Sequence, residues 1–168
     1  PGMIGLTPLP VPLRFHQPAV ILATWFGSGL LKPAPGTWGT LAAVPFALLI
    51  HWIGGSLLLL AAAISVFALG IWAAGAYCRA AEKEDASEVV IDEVAAIWLV
   101  FAALPLSPLG WLAGFVLFRF FDILKPWPIR AVERRFKDGT GVMADDVVAA
   151  IFAVFTFILL DIAWTVLT

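Results

Sequence analysis

The chain is short of charge, of histidine and of cysteine. Only 13% of its 168 residues are Asp, Glu, Lys or Arg, where an ordinary soluble domain carries about 25%. Hydrophobic residues make up 62%, against roughly 45–50% in such domains. That balance excludes a water-soluble globular protein. Together with a mean hydropathy of +0.99, eight Trp and thirteen Phe, it points to an integral membrane protein. A net charge of −2 leaves no basic excess to neutralise a phosphate backbone, so no nucleic-acid partner is expected. Cys78 stands alone, which excludes an intrachain disulfide. No cleavable signal peptide is expected, because the first long apolar stretch lacks a charged start and a small-residue cleavage pattern. Pro1 and Gly2 ahead of Met3 read as a vector remnant.

What is present is a series of apolar runs in a single membrane domain, 1–168. Residues 1–17 are proline-rich and irregular. "AVILATWFGSGLL" (19–31) is too short for a span, which needs about 20 residues, and reads as a short interfacial or re-entrant helix. After the turn-rich "KPAPGTWGT" (32–40), runs at 41–53 and 56–81 are separated by Gly54-Gly55, a helical-hairpin signal. The polar patch "EKEDASE" (82–88) precedes a second hairpin, 89–104 and 109–124, joined by "PLSP". Segment 126–137 is basic, with Ile129, Val132 and Phe136 at helical spacing, as in an amphipathic helix lying on a bilayer surface. A long apolar run, 142–167, follows. The fold class expected is therefore an all-α polytopic membrane bundle. It comprises about four spanning helices, the short N-terminal helix and the interfacial one.

Folding these hairpins across a bilayer puts 54–55, 105–108 and the C-terminal end on one side. Segments 32–40, 82–88 and 125–141 fall on the other, with all ten Lys and Arg on or toward it. The positive-inside rule makes that side cytoplasmic. Only Asp161 among the charged residues lies toward the opposite side.

At the cytoplasmic end, Asp92 and Glu93 enter in the first turns of one helix and Arg119 and Asp122 in the last turns of the next. Asp145 and Asp146 open the final helix. Arg119, Asp122 and Lys125 are expected on one helix face, because i and i+3 positions are neighbours. Each piece has a simpler reading alone: a helix-stabilising ion pair for Arg119 and Asp122, an N-terminal cap for Asp145 and Asp146. Intramembrane charge is costly, however, and three such groups at one depth favour a functional cluster. Carboxylates of this kind suit Mg²⁺, which bridges to substrate phosphate. Arg119 offers a planar fork for phosphate oxygens and Lys125 a point charge. Gly36 and Thr37 lead into a helix N-terminus, where backbone N–H groups favour anions, though a plain turn with Thr37 as cap explains them equally.

Missing motifs narrow the chemistry further. His16 and His51 are the only histidines, and His51 falls toward the opposite face, which excludes a histidine-nucleophile lipid phosphatase. Cys78 is followed at once by Arg79, so there is no Cys-x₅-Arg loop. No P-loop, no Asp-x-Asp-x-Thr signature and no alcohol-phosphotransferase pattern occurs. Metal-assisted hydrolysis built on Asp and Glu remains. The alternative is a cation or proton transporter using intramembrane carboxylates. A conduction path wants polar groups at several depths, whereas these acids share one.

"GSGLLKPAPGTWGTLAAVP", "IDEVAAIW", "FRFFDILKPWPIR" and "GTGVMADDVVA", in this order and spacing, resemble bacterial phosphatidylglycerophosphatase A over about residues 26–150. Ala96 stands where that family usually has glycine, and Lys32 has no counterpart in its first motif. The resemblance implies Mg²⁺-dependent hydrolysis of the lipid phosphatidylglycerophosphate to phosphatidylglycerol and phosphate, at the cytoplasmic face of the bacterial inner membrane. It implies site residues Gly36, Thr37, Asp92, Glu93, Arg119, Asp122, Lys125, Pro126, Asp145 and Asp146. All five carboxylates are then candidate metal ligands or catalytic groups, and Gly36, Thr37, Arg119 and Lys125 candidate phosphate binders. Which carboxylate is ligand, base or nucleophile stays open, as do an aspartyl-phosphate intermediate and the oligomeric state.

Overall fold

The computed structural model describes residues 5–127, 129 and 139–167, and it is almost wholly helical. A six-residue helix α1 (Pro18–Ala23) leads through a 3₁₀ turn (Ser28–Leu30) to strand β2 (Leu31–Lys32), paired antiparallel with β1 (Gly5–Leu6). Four helices follow: α2 (Pro35–Ala81), α3 (Ile91–Ala103), α4 (Pro108–Leu124) and α5 (Gly139–Leu167). The small β pair was not expected from the sequence.

Helix α2 is two arms, because Gly54 and Gly55 leave helical geometry, Gly55 at φ 66°. The arms fold back on each other. Gly39 on the first arm abuts Val90, and Gly70 on the second abuts Ile91. A straight helix would hold those glycines more than about 40 Å apart. The hairpin read from Gly54-Gly55 is therefore present.

The short α3 is the centre of the bundle. Ile91, Val94, Ala95, Ala96, Ile97, Trp98, Val100 and Phe101 are all buried, and Trp98 Nε1 donates to the Ala43 carbonyl at 3.0 Å. Gly114 of α4 lets that helix close on α3, since a Cβ there would stand 2.6 Å from Leu104 and 3.0 Å from Val100. The Gly110–Gly114 spacing thus serves packing within the chain at Gly114. Gly110 donates instead to the Ser107 hydroxyl that caps α4. At the same end of the bundle, His51 lies edge-on to Trp111, with centroids 5.9 Å apart.

One expectation at the N-terminal side changes. The run 19–31 is not one helix, because α1 stops at Ala23 and Trp25, Phe26 and Gly27 take positive φ. Local hydrogen bonds replace the helix ladder there. Thr24 Oγ1 donates to the Val20 carbonyl and accepts from Gly27 N–H, while Ser28 Oγ donates to the Thr24 and Trp25 carbonyls. The resulting turn is clamped to the start of α3: Val90 N–H donates to the Ala23 carbonyl at 2.8 Å, and Gly29 packs against Val90.

The exterior is that of a membrane protein. Leu57, Leu109, Trp164 and Leu167 are among many large apolar side chains left exposed. Pro35–Ala81 and Thr140–Leu167 are long and apolar enough to cross a membrane. Among the described residues, α3 and α4, at 13 and 17 residues, fall short of the roughly 20 that an upright span needs. Most of the expected amphipathic segment 126–137 lies outside the described residues. Of its described members, Ile129 is buried in the main core and Trp127 is exposed.

Candidate active site

At one end of the bundle, a cavity of ≈ 510 Å³ opens between the start of α2, the start of α3, the end of α4 and the second turn of α5. The alternation of the arms explains this: each turn of the chain on this side delivers one charged helix end. Asp92, Glu93, Asp122, Asp145 and Asp146 share the cavity with Arg119 and Lys125. With Glu84 and Asp85 on the same wall, carboxylates far outnumber the two cations and make an acidic site that favours a divalent cation.

Within the cluster the acids divide. One oxygen each of Asp92, Glu93 and Asp146 lies within 4.8 Å of the others. Asp92 Oδ1 also accepts the Glu93 backbone N–H at 3.0 Å, which fixes the first turn of α3. Asp122 and Asp145 instead hold the cations. Arg119 Nη1 pairs closely with Asp122 Oδ2, one turn along α4, and lies 3.6 Å from Glu93 Oε1. Lys125 Nζ pairs with Asp145 Oδ2 at 2.7 Å. Glu93 Oε2 and Arg119 Nε are buried atoms without a hydrogen-bond partner among the described residues. A polar atom buried in that state costs about 1–3 kcal/mol until a ligand satisfies it.

Two sequence expectations need correction here. Lys125 does not share a helical face with Arg119 and Asp122. It caps α4 with left-handed backbone, φ 42°, ahead of Pro126, which has no N–H to continue the ladder. Its ammonium is thereby turned toward α5. Asp145 and Asp146 do not open the final helix either. The helix already begins at Gly139, so they sit in its second turn, and the capping explanation for them falls away.

Gly36 and Thr37 are brought to the site. Helix α2 starts at Pro35 after Ala34, so Thr37 is inside its first turn and does not cap it. The Thr37 hydroxyl lies 3.5 Å from Arg119 Nη2. A Cβ on Gly36 would run into the Glu93 carboxylate and stand 3.1 Å from both terminal nitrogens of Arg119. Glycine is required there by close approach. Glu84, Asp85 and Ser87, from the loop between α2 and α3, also line the cavity and were not singled out from the sequence. Their nearness to Asp92 in the chain was the available signal. Lys83 braces that loop by pairing with buried Glu88 at 3.3 Å.

The phosphatidylglycerophosphatase A family model matches residues 21–161. The chain belongs to that family. It is 42% identical over 139 residues to phosphatidylglycerophosphatase A of Haemophilus influenzae, covering 82% of this chain and 85% of the relative. It is 37% identical over 142 residues to phosphatidylglycerophosphatase A of Escherichia coli, covering 84% and 82%. A Bacteroides thetaiotaomicron relative, 39% identical over 161 residues and covering 88% and 94%, is provisionally named a phosphatidylinositol-3-phosphatase. No solved structure matches the chain. All stretches that carried the family resemblance in the sequence overlap the matched region.

Proposed function

We propose that this protein is a Mg²⁺-dependent lipid phosphatase that hydrolyses phosphatidylglycerophosphate to phosphatidylglycerol and phosphate. The observation that carries the reading is the carboxylate triad Asp92, Glu93 and Asp146 beside Arg119 and Lys125. Family membership supplies the substrate. The cytoplasmic face of the bacterial inner membrane is the proposed location. Arg14, Lys32, Arg79, Lys83, Arg119 and Lys125 gather toward the cavity end, as the positive-inside rule requires. In that frame the helical arms alternate in direction, and α3 and α4 form a hairpin that starts and ends at the cavity side. Arg130, Arg134, Arg135 and Lys137 lie outside the described residues.

The donor set fits Mg²⁺: all-oxygen, anionic, with the Glu93 Oε2 atom buried and awaiting a partner. Asp92, Glu93 and Asp146 would hold the ion. When bound, it supplies Lewis-acid neutralisation of phosphoryl oxygens. Arg119 would present its fork to the same phosphate, oriented by Asp122 and Thr37. Lys125, oriented by Asp145, adds a second positive charge where charge moves in the transition state. A cluster carboxylate accepts the proton of an attacking water. The new phosphorus–oxygen bond then forms as the ester bond breaks, and the glycerol oxygen takes the proton held by that carboxylate. In this reading Asp122 and Asp145 position cations, while Asp92, Glu93 and Asp146 serve the metal, one of them also taking the proton of the water.

The transporter alternative has no support. The relatives bear phosphatase names, and the carboxylates of the site crowd one end, with Asp161 about 22 Å farther along α5. The test is phosphate release by purified protein in detergent, with Mg²⁺ or EDTA. Phosphatidylglycerophosphate would run beside phosphatidic acid and phosphatidylinositol 3-phosphate. Mg²⁺-dependent release from the first, and much less from the others, is expected. Equal release from all three would overturn the substrate assignment, and none from any would overturn the enzyme.

A further inference from the structure

A second, apolar groove of ≈ 580 Å³ lies between the first arm of α2 and α4. One wall is Leu41, Val44 and Leu48, the other Leu112 and Phe115. Phe101 and Trp111 form the floor, both buried and stacked with centroids 4.1 Å apart. The rim is open: Leu41, Leu48 and Leu112 are 45%, 46% and 60% exposed. Loose lipid could cover any such surface, so the question is whether the groove is tied to something specific.

It is tied to the polar cavity at its head. On α2, Thr37, Leu41, Val44 and Leu48 follow at helical spacing along one stripe, and on α4 so do Trp111, Phe115 and Arg119. The two stripes are therefore headed by Thr37 and Arg119, which meet at 3.5 Å. Beyond that contact, Gly36, Arg119 and Asp122 belong to the charged cavity; before it, Leu41 and Phe115 belong to the groove. The α2 wall of the groove runs from Leu41 to Leu48, about 10 Å along the helix axis, and the groove extends to Ser107 and Pro108 at the start of α4. The groove thus opens one helical turn, about 6 Å, from the Thr37–Arg119 contact.

We infer that this groove binds an acyl chain of the lipid whose phosphate is held at Arg119. The inference rests on the phosphatase reading and adds to it a substrate subsite. A rigid aromatic floor and a rim open to the bilayer let the chain enter sideways, without leaving the membrane. The headgroup then turns over the Thr37–Arg119 contact into the charged cavity.

The experiment compares kcat/KM for long-chain and short-chain forms of phosphatidylglycerophosphate. The variants are Leu112→Trp and Leu48→Trp, which fill the groove, and Leu112→Ala, which widens it. Ile151→Trp, at an exposed α5 position away from the groove, controls for general lipid contact. Filling the groove should lower the long-to-short ratio at least about tenfold, the scale of a pocket misfit. Leu112→Ala should shift the ratio as well, and Ile151→Trp should leave it unchanged. Leu48 and Leu112 face outward, so these variants keep the core intact. An unchanged ratio in a folded groove variant, or an equal fall in Ile151→Trp, overturns the groove as a substrate site and leaves it to bulk lipid. Wild-type protein inactive on both forms would instead overturn the phosphatase reading itself.

Discussion

Arg119, near the end of α4, reaches Thr37 in the first turn of α2, its Nη2 atom 3.5 Å from the hydroxyl oxygen. Two side chains far apart in sequence thereby meet at the edge of the charged cavity, and the guanidinium is held from two directions, by Thr37 and by Asp122.

This fixes what Arg119 does that another cation cannot. Arg119→Lys keeps the charge and loses the fork, and kcat for phosphate release should fall about 10²-fold, the scale for removing one transition-state donor. Thr37→Val should cost less. The double variant should lose less than the product of the single effects, because both act on one guanidinium. Multiplicative losses in steady-state kinetics would show the two residues to act separately.

Gly36→Ala places a methyl group against Glu93 and Arg119. The fold should survive, as judged by an unchanged elution profile in detergent. Activity should drop by up to about 10²-fold, since a displacement near 1 Å at a catalytic group can have that effect. Wild-type rates in this variant would mean that Glu93 and Arg119 can move apart freely.

The proposed metal ligands should be separable from the proposed orienting acids. Asp92→Asn, Glu93→Gln and Asp146→Asn should each weaken Mn²⁺ binding followed by electron paramagnetic resonance. Asp145→Asn should retain binding while raising KM through Lys125. In wild-type protein, Mg²⁺ at 100 times its Kd should raise stability by about 2.7 kcal/mol, visible as a higher melting temperature that EDTA reverses. Mn²⁺ affinity lost equally in Asp145→Asn would merge the two groups.

Gly114→Val adds a side chain into space filled by Leu104 and Val100. Thermal melting in detergent should report a loss of about 1–3 kcal/mol, typical of overpacking. Asp161→Asn should leave phosphate release within about twofold of wild type, as an exposed substitution remote from the cavity does. A large loss there would revive a role for charge deep in the bilayer.

Much of the site was legible because helix ends are legible. Once Gly54-Gly55 and "PLSP" mark turns, Asp92, Glu93, Arg119, Asp122 and the Asp145–Asp146 pair must meet at one depth, whatever the crossing angles. Rotation about each helix axis is not written so openly. Whether Asp145 or Asp146 faces Asp92 depends on where α5 begins, and the start at Gly139 was not anticipated. Lys125 was misplaced for a related reason: Pro126 ends the helix and swings the residue before it off the Arg119 face. The break after Ala23 was hidden by a run of apolar residues, because Thr24 and Ser28 act through hydroxyl bonds that periodicity does not register.

The hydrogen bond from Val90 to Ala23 ties the N-terminal segment to the cavity without any cavity carboxylate of its own. Val90 is the residue from which α3 sets out, and Asp92 and Glu93 follow within its first turn. α1 and the turn after it therefore act as a mooring for two carboxylates. A protein shortened to begin at Pro35 would keep every charged group of the cavity, yet its α3 would be free to drift along its axis. The spacing of the cavity's carboxylates is in that sense held from behind, by a stretch of chain outside the cavity.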